Sequence, residues 1–126
     1  MTERRYSDPV VWSSLCLAPA GLVLLVQGSL MGLVYLASAL VSLAYHRTGE
    51  TRWRTLDHAL AWSVIGCNAL LLWRTRDVLL ALAGVALVLV ALRFYVRAKR
   101  GRYARRHSWW HLASGAACLC FVLGRG

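Results

Sequence analysis

The residues able to do chemistry fall in three short runs: Ser42-Leu-Ala-Tyr-His46, Leu56-Asp57-His58 and His107-Ser-Trp-Trp-His111. Ser42 and His46 are four residues apart, as are His107 and His111, so on helices each pair shares a face. Three imidazoles from two helices, with a fourth position open, suit a catalytic zinc site made by His46, His107 and His111. Zinc brings the pKa of a bound water to about 7 and so supplies a nucleophile at neutral pH. Asp57 is the carboxylate to hold and deprotonate that water. Ser42, one turn deeper than His46, could orient Asp57 or donate to a developing oxyanion. Taken singly, each residue has an ordinary explanation. His46 would be an interfacial histidine, Asp57 an acid favoured at a helix N-terminus, and Ser42 a helix-packing residue. The combination carries the chemistry. His58 points about 100° away from Asp57 around a helix and is read as interfacial or supporting, and Trp109 and Trp110 as members of an interfacial aromatic belt.

For these runs to meet, the elements that carry them must bring them to one depth, and the composition says what those elements are. Of 126 residues, 59% are hydrophobic and 16% charged, and the charges cluster between long apolar runs. A span across the roughly 30 Å hydrocarbon core needs about 17–25 apolar residues. Segments 9–26, 29–46, 56–73, 78–95 and 107–123 come close to that length. With no water to bond the backbone, such segments must be helices. The expected fold is therefore all-α: one transmembrane domain over residues 1–126, a polytopic bundle of about five helices. Arg4 and Arg5 before an apolar run resemble a signal peptide, but 9–26 is long enough for a retained first helix.

Lysine and arginine placement sets the expected orientation. With the N-terminus inside, the basic loops 47–55 and 97–106 also lie inside, and of 15 basic residues only Arg74, Arg76 and Arg125 fall outside. In that N-in, C-out arrangement helix 2 descends to the cytoplasmic side while helices 3 and 5 leave it. Ser42, His46, Asp57, His107 and His111 then reach one side of the membrane together. The net charge of +10 is accounted for by helix ends and anionic lipid headgroups, which argues against nucleic-acid binding. Cys16, Cys67, Cys118 and Cys120 all fall in apolar segments, without CxxC spacing, and read as small hydrophobes. Asn68, eleven residues after Asp57, lies on nearly the same face about three turns deeper and suits an interhelical hydrogen bond.

The runs Ser42-Leu-Ala-Tyr-His46, Arg54-Thr-Leu-Asp57-His58-Ala-Leu-Ala-Trp62 and His107-Ser-Trp-Trp-His111-Leu resemble the pattern of bacterial hemolysin-III-like proteins. Those are similar to the progestin and adipoQ receptors, and alkaline ceramidases share the sparser SxxxH, Asp and HxxxH pattern of the same superfamily. The resemblance implies a helical membrane hydrolase with zinc near one membrane face. His46, His107 and His111 match the zinc ligands, Asp57 the acid that holds the zinc water, and Ser42 the accompanying serine. The family has seven helices, so this chain would be a shortened version with helix 4 standing where the family has three. A lipid-filled opening or a homodimer would replace the missing walls.

The resulting expectation is a zinc-dependent integral-membrane hydrolase in a bacterial inner membrane. It would cleave an amide or ester bond of a ceramide-like or other acyl lipid, with the acyl chain between helices. The amide preference comes from the resemblance alone. The alternative is a non-catalytic membrane sensor, stress-response or lipid-binding protein with a structural metal. A bis-histidine haem site on His46 and His111 is a third reading, and leaves Asp57 and Ser42 without a role.

Overall fold

A computed structural model describes residues 9–98 and 103–125. Arg4, Arg5, Lys99, Arg100 and Arg102, which contribute to the expected orientation, lie outside the described residues. Within them the chain is an all-α bundle without strands. The helices are α1 (Pro9–Val26), α2 (Met31–Thr48), α3 (Thr51–Arg74), α4 (Val78–Ala98) and α5 (Tyr103–Gly124).

By length and composition, α1, α3 and α4 can cross a membrane. Five spans were expected, and the difference lies in α2 and α5, the helices that carry His46, His107 and His111. The buried stripe of α2 is Gly32, Tyr35, Ser38, Ala39, Ser42 and His46, so small and polar side chains dilute its apolar content while Leu33 and Leu40 face outward. α5 likewise opens with arginines and histidines. Large apolar side chains lie on the outer surface: Trp62, Trp73, Val26 and Leu79 are 73%, 88%, 89% and 79% exposed, as helices able to cross a membrane would present them.

The helix ends follow local chemistry rather than charge. α1 closes on Gly28 at φ 77, with Ser29 N–H bonded to Leu24 O at 2.8 Å and Gly28 N–H to Leu25 O at 2.9 Å, a Schellman turn. α2 closes on Gly49 at φ 70, whose N–H reaches Tyr45 O at 2.7 Å. Only Gly49 and Glu50 then separate α2 from α3. The expected 47–55 loop is thus mostly helix: arginine ends an apolar span without ending a helix, and no breaker follows Glu50. For the same reason α5 begins at Tyr103 instead of 107 and α4 continues to Ala98 instead of 95. The Arg106 guanidinium donates to the Arg97 carbonyl at 2.8 Å, capping the last turn of α4.

Inside α1, Pro19 has no N–H to offer the carbonyl four residues back. Leu15 O instead accepts from Ala18 N–H, and Ser14–Leu17 winds as a 3₁₀ turn. At the other end of the molecule, the short α3–α4 connection is tied to α5. The N–H groups of Arg76 and Asp77 donate to Gly124 O at 3.0 and 3.4 Å, and Asp77 Oδ1 accepts from Leu80 N–H at 3.1 Å to cap α4.

The core joins Ala20 and Leu24 of α1, Tyr35 of α2, Val64 and Leu71 of α3, and Ala117, Cys118, Phe121 and Val122 of α5, with Leu87 and Val88 of α4 packed on it. Backbones come close where glycines permit. A methyl group on Gly32 would overlap the Gly21 carbonyl, one on Gly115 the Cys16 carbonyl, and one on Gly84 the Phe121 ring. A polar seam crosses this core: Tyr35 O–H donates to Asn68 Oδ1, and Asn68 Nδ2 donates to Cys118 Sγ at 3.3 Å. It ties α2, α3 and α5, the interhelical role expected of Asn68.

Gly32→Ala should lower stability by about 1–3 kcal/mol, the usual cost of overpacking. Gly66→Ala, where an added Cβ meets nothing within 4 Å, should be neutral or stabilise by up to about 1 kcal/mol. Unfolding of both variants in detergent micelles checks this; equal effects would contradict the α1–α2 packing.

Candidate metal centre

His46 is the last buried residue of the α2 stripe, in the helix's final turns. His107 and His111 lie one turn apart near the start of α5. Facing helices bring the three rings together, with centroid separations of 4.8 Å (His46–His107), 5.0 Å (His46–His111) and 4.6 Å (His107–His111). His46 and His107 are buried, at 4% and 8% exposure, and His111 is partly buried.

One nitrogen from each ring lies within 4.8 Å of the other two, so this trio could hold a metal ion. Tetrahedral zinc with Zn–N near 2.0–2.1 Å sets its nitrogens roughly 3.4 Å apart. The widest gap here closes by at most about 1.4 Å, a small rotation of side chains already converged. The donors are imidazoles without thiolate, a set that suits zinc, copper, iron or nickel.

The other two expected residues are paired with each other. Ser42 and Asp57 lie close enough to interact, which sets α3 beside the helix that bears His46. Asp57 is not one of the converged donors among the described residues. It sits beside the trio's α2 arm, through Ser42, and not as a fourth ligand. His58 is exposed and also outside the trio. Trp109 and Trp110, expected as an interfacial belt, have a second role as packing surfaces against α4. Trp109 stacks on Phe94 at 6.1 Å and Trp110 tilts on Tyr95 at 4.9 Å, which braces the histidine-bearing turns of α5.

One participant escaped the sequence reading. Ser13 Oγ of α1 lies 2.9 Å from His111 Nδ1 and is itself buried at 8% exposure. A serine inside an apolar span was the available signal, since a polar side chain there usually turns inward. Nothing in its spacing pairs it with a residue 98 positions away.

Comparison of the chain with protein-family models, curated proteins and solved structures finds no match. The site is therefore read from its own geometry.

Protein purified in detergent should carry one divalent metal per chain by elemental analysis. His107→Ala/His111→Ala should reduce it to background, and His58→Ala should leave it unchanged. A folded wild-type protein without stoichiometric metal would count against the centre.

Proposed function

We propose that this chain is a membrane-embedded, zinc-dependent hydrolase acting on an amide or ester bond of a ceramide-like or other acyl lipid. One observation carries the reading: three imidazoles far apart in sequence converge, one of them a helical turn from Ser42, which is itself close to Asp57 of α3. The resemblance of the three motifs to hemolysin-III-like proteins and alkaline ceramidases supports it. The apolar helices support a lipid substrate.

His46, His107 and His111 would hold the ion. When bound, zinc supplies a Lewis acid that activates water at neutral pH and polarises a carbonyl. The chain's own groups do the rest. The Asp57 carboxylate accepts the proton of the attacking water and returns it to the leaving amine or alkoxide. Its place outside the ligand set leaves it free for that work. Ser42, donating to the carboxylate, aims it. The acyl chain lies between helices. The basic residues near this end, Arg47, Arg52, Arg54, Arg105 and Arg106, attract anionic headgroups. In the N-in orientation, the centre stands near the cytoplasmic face of a bacterial inner membrane.

The exclusion of Asp57 from the converged donors also favours a second reading, a non-catalytic metal clamp pinning α2 to α5. Asp57→Asn separates the two. In the hydrolase it should cost roughly 10²–10⁴-fold in turnover with metal content and melting temperature unchanged. Ser42→Ala should lose about tenfold, at the mild end for a supporting hydrogen bond. Fatty-acid release from acyl lipids in nanodiscs is the readout. Metal-loaded wild type with no turnover across ceramides and other acyl lipids would leave only the clamp.

A further inference from the structure

We propose that Ser13 is a positioning residue of the metal centre: its hydroxyl donates to the Val10 carbonyl, accepts the Nδ1 proton of His111, and so fixes His111 in the tautomer that offers Nε2 as ligand. The proposal rests on the metal reading above and adds a residue from α1, a helix outside the three motifs.

A serine hydroxyl has one proton and two lone pairs. Ser13 Oγ donates to Val10 O at 3.2 Å, the back-bond to an earlier carbonyl that serines make inside helices. The same oxygen stands 2.9 Å from His111 Nδ1. Held in that bond, the hydroxyl accepts at the second contact, and we place the ring hydrogen of His111 on Nδ1. A neutral imidazole protonated at Nδ1 keeps its lone pair on Nε2. Burial of Ser13 at 8% exposure keeps water from competing for the contact.

The placement has a visible cause. Gly115 lies one turn after His111 on the same face of α5. Its missing side chain lets the Cys16 carbonyl of α1 come against α5. Cys16 lies one turn after Ser13, so the close approach at Gly115 delivers Ser13 to the ring. Ser14 serves as an internal control, because its hydroxyl bonds the Val10 carbonyl at 2.9 Å rather than His111.

Partners that orient a ligating histidine are worth about 10–100-fold in metal affinity. Zinc titrated into the full-length protein in micelles against a chelator should bind 10–100-fold more weakly to Ser13→Ala, at unchanged stoichiometry when saturated. Ser13→Thr should restore affinity, and Ser14→Ala should match wild type. Nitrogen-15 spectra of metal-free wild type, with the His111 signals assigned by their loss in His111→Ala, should show protonation at Nδ1; Ser13→Ala should show a mixture of tautomers. An Nε2-protonated His111 in metal-free wild type overturns the proposal. So does a Ser13→Ala protein that binds zinc as tightly as wild type, which sinks the positioning role alone. A wild-type protein that takes up no zinc instead removes the proposed function, and this role with it.

Discussion

Helices that meet in hydrocarbon gain little from excluding water, so their association depends on close packing and on hydrogen bonds between them. In this bundle the close backbone contacts centre on α5. Its Gly115 admits the backbone of α1, its Phe121 fills the space left by Gly84 of α4, and its Gly124 carbonyl holds the α3–α4 connection. Gly21 against Gly32 draws α1 and α2 together in the same manner. Helix axes set by backbone contacts of this kind cannot drift outward by even a side chain's width. The short distances among the imidazoles follow from those axes.

Depth is set separately, by the seam through Tyr35, Asn68 and Cys118. Counting from each seam residue toward the histidine end gives the same intervals on all three helices. Ser42 and His46 lie seven and eleven residues from Tyr35, His111 and His107 seven and eleven from Cys118, and Asp57 eleven from Asn68. Seven and eleven residues are close to two and three helical turns, or about 10.5 and 16.5 Å of rise. Residues at those intervals share the seam's face. Three side chains bonded at one level therefore align the site residues at two levels, one turn apart.

Much of this was readable in the residues. The i, i+4 spacing of Ser42–His46 and His107–His111 announced paired faces, and the up-and-down order of five apolar segments announced helices that bring those faces to one end. Asn68 announced itself as a polar residue on the Asp57 face. What could not be read was set by contacts between helices. How closely α3 leans on α2 to bring Asp57 against Ser42 is one such contact, which no spacing encodes. Ser13 reaches His111 because Gly115 lets α1 in, a relation between residues that sequence order leaves far apart. The helix ends at Thr51 and Tyr103 were misjudged because hydropathy marks where lipid stops and hydrogen bonding marks where a helix stops. Arginine is compatible with the second and not with the first.

The 3₁₀ turn in α1 changes what one helix can address. Its four residues, Ser14–Leu17, rise about 2.0 Å each instead of 1.5 Å and turn about 20° further per residue. Together they advance α1 by roughly 2 Å and shift its angular phase by some 80° relative to uniform winding. The part before the turn aims Ser13 at an imidazole of α5, and the part after it aims Gly21 at α2. A ring without an N–H at position 19, contributing no polar atom to the centre, thus governs the azimuth at which α1 presents its hydroxyl.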